Sequence, residues 1–515
     1  MSRWKVNEDI EQLENLRGLN SYDKRRIIME LKGKKVIVVG AGKSGIAAAA
    51  MLKANGADPV IFDENSSLDE EKVHGKLISA MTRYALLNIK PGPDAKYATS
   101  RDIAKKSTAY AMKAAGEIVI KKDNLSDMDL EGAEMVVMSP GVPLDTPLVD
   151  RFRNRGMYIS GEIELAYSCS KGRLIAITGT NGKTTTTALT GQIVKDYYGG
   201  AKIVGNIGNP YTDAAIFTRD KDVTVAEISS FQLETIHEFH PQVSAILNIT
   251  PDHLNRHHTM ENYVACKELI AKNQTGEDFC VLNYSDPYTK DFGSRCPAKV
   301  LWFSSECEVE EGCFLQDGDI IRVSGGQKNR LMNVSEMKLL GKHNAENVMA
   351  AILMAEAAGI PMESIIETIK NFKAVEHRIE YVRSFKDVVY YNDSKGTNPD
   401  AAIKAIQAMN RRTVLIGGGY DKQNTYDEWI EAFDGKVSKL ILLGQTKIKI
   451  AECAAKHGFN DYILVNSLEE AVKKAAEVAK PGEAVLLSPA CASWGMFKDY
   501  EERGRIFKSL VNDLK

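Results

Sequence analysis

The run Leu174-Ile175-Ala176-Ile177-Thr178 followed by Gly179-Thr180-Asn181-Gly182-Lys183-Thr184 constrains the chain more than any other stretch. An apolar run of that length reads as a buried strand. The Gly-Thr-Asn-Gly turn after it leads into a helix that runs to a stop at Gly199-Gly200. Backbone N–H groups of such a turn converge on one anion, and the helix end adds roughly half a positive charge. Lys183 can reach outer phosphates and the Thr184 hydroxyl can meet Mg²⁺. The general P-loop wants glycine five residues before Gly182, where this chain has Ile177. The spacing therefore predicts a shorter phosphate loop on a strand–turn–helix unit.

A chain of 515 residues exceeds what one core supports, roughly 250–300 residues, so several domains are expected. A formal charge of -3 gives no general attraction to nucleic acid or membranes. The eight cysteines stand apart with no C-x-x-C pair, which argues against a zinc knuckle or a disulfide framework. No apolar run reaches the length of a membrane span. The expectation is a cytoplasmic protein with reduced thiols.

Residues 1–32 read as a polar helical extension. Lys34 to Val39 reads as a strand leading into Gly40-Ala41-Gly42-Lys43-Ser44-Gly45, a formal G-x-G-x-x-G, with Asp63 ending the next strand. That pattern alone would suit an NAD dehydrogenase, but such an enzyme leaves the central loop unexplained. Residues 74–116 are rich in lysine and arginine and are split by Pro91-Gly92-Pro93. They read as a solvated helical insertion, with a docking surface for an acidic partner as the alternative. Strands ending at Glu227 and before Thr250-Pro251-Asp252-His253 point their tips to the edge where parallel α/β sheets gather ligands. Lys183, Glu227 and His253 are thus placed to converge. Thr259 suits a helix cap. Tyr263, Lys267 and Ile270 then share a face, where periodicity favours a snorkelling lysine. After about residue 375, strands and helices alternate, which predicts a parallel, doubly wound sheet.

Taken together, GAGKSG, SPGVP, GTNGKTTT, GNIGNP, EISSFQLE, TPDHLNRH, GKHNAENV, EHRIE, NDSKGTNPDA, GGGYDK and SPACASWGMFKDYEERG resemble the Mur ligase superfamily. SSFQLE, DHLNRH and SPACAS are similar to its D-glutamate-adding branch. The resemblance implies an α/β chain of three domains: a Rossmann-like domain over 33–171 for a UDP-sugar, a P-loop-type ATPase domain over 172–374, and a Rossmann-like domain over 375–515 for the amino acid. It also implies residue roles. Gly179, Thr180, Asn181, Gly182, Lys183, Thr184 and Thr185 would hold ATP phosphates, with Asn344 and Asn347 at the adenine, Arg378 at the phosphates and Asp393 at the ribose. Thr184 and Glu227 would serve one Mg²⁺, and His253 with a CO₂-derived carbamate on Lys267 a second. Ser44, Asp63, Gly141 and Asn206 would hold the UDP-sugar, and Lys395, Thr397, Lys422, Ser493 and Tyr500 would line the D-glutamate end. The chain departs from the family pattern at Glu64-Asn65, at Trp494-Gly495-Met496 and at Tyr500.

The implied activity is ATP-dependent addition of D-glutamate to UDP-N-acetylmuramoyl-L-alanine through an acyl phosphate, by a monomer without nucleic-acid partners. Another ligase of the superfamily and a non-catalytic nucleotide-binding regulator are the alternatives. The first 28 residues and the segment 74–116 are both expected to be dispensable.

Overall fold

The computed structural model describes residues 31–88, 100–206, 208–339, 341–373 and 376–515. The N-terminal extension over 1–30 and the Pro91-Gly92-Pro93 break lie outside the described residues. The described residues fall into two compact units, one within 31–183, 190–302 and 353–361, the other within 184–189, 303–352 and 362–515. Three sheets organise it.

The first sheet has five parallel strands, β1 (Lys35–Val39), β2 (Asp58–Asp63), β3 (Val119–Lys122), β4 (Ala133–Met138) and β5 (Tyr158–Gly161), in the order β3-β2-β1-β4-β5. Order reverses between β1 and β4, where such sheets bind ligands. Helix α1 (Lys43–Ala54) follows β1 and buries its alanine-rich stretch. Gly45 is required there: a Cβ would lie 1.9 Å from the Gly40 carbonyl oxygen.

The segment 74–116 is not a solvated insertion. It supplies most of α2 (Glu70–Asn88) and α3 (Ser100–Gly116), the crossover from β2 to β3. Val73, Leu77, Ala80, Met81 and Tyr84 are buried with Val36, Val38 and Ile61 in one core, as are Ala111, Ala114 and Ala115. The Tyr84 hydroxyl donates to the Thr212 carbonyl at 2.7 Å. Spacings of four, seven, eight and eleven residues from Val73 make a helical stripe, which the lysine count obscured. Removing 74–116 is therefore expected to unfold this sheet rather than to be tolerated. Leu77→Ala alone should lower stability by about 2–5 kcal/mol. A denaturant midpoint that does not move would return the segment to the surface.

The second sheet runs β14-β13-β12-β11-β10-β9-β6-β8-β7. Its strands are β6 (Arg173–Thr178), β7 (Lys202–Gly205), β8 (Val223–Glu227), β9 (Val243–Ile246), β10 (Phe279–Asn283), β11 (Lys299–Ser304), β12 (Gly312–Gln316), β13 (Asp319–Ser324) and β14 (Gln327–Asn333). From β10 to β7 the pairing is parallel, and β12 to β14 are antiparallel. Helix α4 (Lys183–Tyr198) stops at Gly199, which is left-handed as a helix end requires. The Thr259 hydroxyl caps α5 (Met260–Glu268), accepting from the Asn262 N–H. Helix α6 spans Lys342–Ala357.

The third sheet, β15 (Glu380–Phe385), β16 (Val388–Asn392), β17 (Thr413–Gly417), β18 (Val437–Leu442), β19 (Tyr462–Leu464) and β20 (Ala484–Leu487), has the order β15-β16-β20-β17-β18-β19. It is parallel as expected except at β15, which pairs antiparallel with β16. The turn joining them is Lys386-Asp387, both at positive φ. Tight hairpins need that conformation and usually take it from Asn-Gly, so the sequence carried no signal for it. Four helices of this unit matter below: α7 (Pro399–Ala408), capped by the Asn398 side chain, α8 (Asp427–Glu431), α9 (Lys447–Lys456) and α10 (Tyr500–Asn512). Among the described residues no helix is long and apolar enough to cross a membrane.

Candidate active site

The phosphate loop lies at the tip of β6. Gly182 is left-handed, with φ of 86°, and turns the chain into α4. Asn248, just beyond β9, fixes the loop from outside: its carbonyl accepts from the Thr180 N–H and its Oδ1 from the Asn181 N–H, both at 2.8 Å. The Thr180 hydroxyl accepts from the Thr250 N–H at 3.0 Å and lies 3.1 Å from the Tyr263 hydroxyl. Lys183 Nζ donates to the carbonyls of Gly179 and Thr180 at 2.7 and 2.8 Å. Thr184 and Thr185, in the first turn of α4, are buried.

Beside this loop, Glu227 ends β8, the neighbour of β6, fully enclosed. Its Oε1 accepts from the Asn206 side-chain amide at 2.7 Å, while its Oε2 is buried with no hydrogen-bond partner. A buried carboxylate oxygen is costly unless something cationic or protic meets it, so this atom suits a metal ligand. Asn206, placed by sequence reasoning at the UDP-sugar, thus also braces Glu227.

Lys267 is not a snorkelling lysine. It is 2% exposed, its Nζ donates to the Gly179 carbonyl at 2.8 Å, and it lies 4.6 Å from the centre of the Tyr263 ring. Burial, and then the charge of Lys183, hold its ammonium well below the usual lysine value. Lys183 and Lys267 therefore meet at one carbonyl. His253, at the left-handed φ of 52°, packs edge-on against Phe231, with ring centres 4.9 Å apart.

At the first sheet, Asp63 braces the glycine turn: one carboxylate oxygen accepts from the Ala41 N–H at 2.7 Å, the other from the Asn65 N–H at 3.0 Å. Ser44 lies half-buried in the first turn of α1, and Gly141 is exposed in the loop after β4. Nearby, a cavity of about 490 Å³ is lined by residues including Asp145, Arg153, Glu234, Arg256 and Asn262. Deeper in this unit, Glu162 accepts from the Thr212 N–H and hydroxyl at 2.7 and 2.8 Å, and its other oxygen has no partner. Burial pushes its carboxyl up to about 7, against 4.5 for an ordinary glutamate. Between those values the native chain keeps a proton that the unfolded chain has released, so stability falls as pH rises. Glu162→Gln should remove this share of the slope, about 3 kcal/mol at most. An unchanged slope between pH 4.5 and 7 in urea unfolding would show that Glu162 ionises normally.

In the other unit, Asn347 donates to Asn344 Oδ1 at 3.1 Å and accepts from the Thr186 hydroxyl at 3.2 Å. Arg378 is half-buried with its Nε lacking a partner. Strands β16, β20 and β17 are neighbours, so the segments following their C-terminal ends share one edge. After β16, Asp393 accepts from the Ser488 hydroxyl at 2.7 Å and from the Ile379 N–H at 3.3 Å, and burial pushes its carboxyl up to about 7. Lys395 Nζ lies 5.4 Å from the Tyr500 ring centre, and the Thr397 N–H donates to the Lys395 carbonyl. Lys422, exposed, lies 4.9 Å from the Trp494 ring centre, and Ser493 is buried.

Sequence reasoning missed Arg503. It is buried on α10, and its guanidinium donates to the Ser394 hydroxyl at 3.0 Å, the Ser394 carbonyl at 2.8 Å and the Cys491 carbonyl at 3.2 Å. One side chain thus ties the segment after β16 to the segment after β20. Burial lowers its guanidinium to about 10. The available signal was periodic: Arg503, Phe507 and Val511 share the buried face of α10.

Comparison with known proteins accords with this geometry. Residues 177–355 match the Mur ligase middle domain, and residues 377–491 match the Mur ligase glutamate ligase domain. The fold resembles the UDP-N-acetylmuramate–alanine ligase MurC of Thermotoga maritima, with a TM-score of 0.53 and 18% identity, covering 94% of this chain and all of that one. It is also similar to a pseudomurein peptide ligase type C from Methanothermus fervidus, with a TM-score of 0.52, 18% identity and the same coverage. Fold and matched domains together define a Mur ligase architecture. In sequence, the UDP-N-acetylmuramoylalanine–D-glutamate ligase of Lachnospira eligens is 53% identical over 94% of this chain and all of its own length. That of Clostridioides difficile is 46% identical over 95% of this chain and all of its own length. The chain belongs to the UDP-N-acetylmuramoylalanine–D-glutamate ligase family.

Proposed function

We propose that this chain adds D-glutamate to UDP-N-acetylmuramoyl-L-alanine, with ATP converted to ADP and phosphate, as a step of peptidoglycan precursor synthesis. Beyond family membership, the observation that carries the reading is the buried, unpartnered Glu227 oxygen at a strand tip beside the phosphate loop. A carboxylate does not accept an amine at neutral pH, because its carbon is a poor electrophile. One of its oxygens attacks the γ-phosphorus of ATP, ADP leaves, and an acyl phosphate forms. The neutral amine of D-glutamate attacks the acyl carbon, loses a proton, and phosphate leaves from the tetrahedral intermediate.

Mg²⁺, when bound, offsets the negative charge that accumulates as carboxylate meets phosphate. The Thr184 hydroxyl and Glu227 are assigned to one ion, and His253 with Lys267 as a carbamate to a second. That last assignment rests on burial: a lysine favoured in its neutral form can add CO₂, whereas an ammonium has no lone pair. Lys183 supplies a fixed positive charge over the phosphates. Asn344, Asn347, Arg378 and Asp393 are assigned to the nucleotide, and Ser44, Asp63, Gly141 and Asn206 to the UDP-sugar. The division into domains at 33–171, 172–374 and 375–515 belongs to the same reading, as does a cytoplasmic monomer; the eight cysteines are free.

Lys395, Thr397, Lys422, Ser493 and Tyr500 are assigned to D-glutamate. An ammonium and a hydroxyl are apt partners for two carboxylates held in one orientation, and leaving one unpaired is costly. Lys422→Ala should raise KM for D-glutamate by roughly 10- to 100-fold, the worth of a charged hydrogen bond, and leave KM for ATP nearly unchanged. Equal rises in both would refute the assignment.

A further inference from the structure

Three clusters among the described residues bring metal-ligating side chains together: Glu234 with His257 and Cys266, Glu376 with His377 and Glu380, and Asp427 with Cys453 and His457. In the first, Arg256 already pairs with Glu234 inside the fold. In the second, Lys508 bridges both glutamates at 2.6 and 2.9 Å, and there is no sulfur. The third, like the first, combines a carboxylate, a thiol and an imidazole, but it is more open to solvent.

Cys453 and His457 stand four residues apart along α9 and its C-terminal end, so they share a face. Asp427 and Glu431 stand four apart on α8, which packs against α9. The ligand atoms of Asp427, Cys453 and His457 lie within 4.8 Å of one another. His457 Nε2 is 2.9 Å from Asp427 Oδ1, and its Nδ1 is 3.6 Å from Glu431 Oε1. Asp427 accepts the Nε2 proton of His457 in that 2.9 Å hydrogen bond; a cation held by both atoms shifts the imidazole proton to Nδ1, where the Glu431 carboxylate faces it, the arrangement that orients ligating histidines. Burial, and then the Asp427 carboxylate, hold the Cys453 thiol above its ordinary value. Lys456 also reaches Asp427, at 3.3 Å, but is 75% exposed, and exposed pairs of that kind are worth little.

We propose that Asp427, Cys453 and His457 form a binding site for one divalent cation of the zinc type, with Glu431 orienting the imidazole. Thiolate, carboxylate and neutral imidazole neutralise the ion's two charges and provide three ligands of a tetrahedral site, with water as the fourth. Binding releases the Cys453 thiol proton to solvent and involves no change of oxidation state. None of these side chains belongs to the site assigned to ligase chemistry, so the proposal stands apart from that reading.

The test is titration of the full-length, chelator-treated protein with Co²⁺, whose thiolate complexes absorb by charge transfer. One equivalent should produce the thiolate–cobalt band, and Zn²⁺ should bleach it. Cys453→Ser should abolish the band, and Glu431→Gln should weaken binding about 10- to 100-fold. Asp427→Asn, which removes a charged ligand, should weaken it at least about 10-fold. These variants should keep ligase activity, which certifies their folding. Absence of the band in the wild-type protein, or a band unchanged in Cys453→Ser, overturns the proposal; an Asp427→Asn variant that binds Co²⁺ as tightly as the wild type removes Asp427 from the ligand set.

Discussion

Lys267→Ala is expected to lose at least about 10²-fold in kcat, the scale seen when one charge-stabilising group is removed from a reacting centre. Added acetate or formate should restore part of it. The lysine is enclosed, bonded to the Gly179 carbonyl, and burial and then Lys183 shift it toward the neutral amine. An amine in that state can take up CO₂, and the resulting carbamate offers two oxygens to a hard cation. A small carboxylate diffusing into the space left by alanine supplies the same oxygens. Lys267→Arg should be inactive and should not respond, because its cation fills the space. The alanine variant also leaves the Gly179 carbonyl without this donor, at a cost of about 1–3 kcal/mol, so thermal unfolding should accompany the kinetics. An alanine variant that is folded and near wild-type activity without added carboxylate would leave Lys267 as a packing residue only.

Lys183→Ala should be comparably damaging and should not respond to carboxylates. Its ammonium donates to two carbonyls of the phosphate loop, so it is poised over the anion that the loop and the α4 N-terminus attract. Asn248 and Thr250 hold the loop as well, so the variant should remain folded. A loss of about 10²- to 10³-fold in kcat is expected. Phosphate release close to that of the wild type would remove the loop from the chemistry.

Much of the fold was legible where one rule acted alone. Strands β8 and β20, helix α4 with its Gly199 stop, and the Asn398 and Thr259 caps all follow from local patterns. Reading failed where two rules competed. In 74–116 a high lysine count concealed a buried stripe, because charge on one face says nothing about the opposite face. Strand β15 was invisible because Lys386-Asp387 makes a positive-φ turn without glycine. For Lys267, periodicity alone favours snorkelling, because it places a side chain on a face but does not say whether its tip reaches water; only the family resemblance points to an enclosed lysine. The site was legible as a set of strand tips. What was not legible was how side chains brace one another: Asn206 on Glu227, Asp63 on the Ala41 N–H, and Arg503 across two segments. Those contacts join residues far apart in sequence, and no local spacing encodes them.

Transfer of the γ-phosphoryl group to the substrate carboxylate is the central step, and isotope transfer tests it. UDP-N-acetylmuramoyl-L-alanine labelled with ¹⁸O in its alanine carboxylate should be incubated with the protein, ATP, Mg²⁺ and D-glutamate, and the released phosphate analysed by mass. One ¹⁸O atom is expected in each phosphate released, with the other retained in the new amide, and no comparable release when L-glutamate replaces the D-isomer. Phosphate free of ¹⁸O, or released at the same rate without the UDP-sugar, would contradict that transfer.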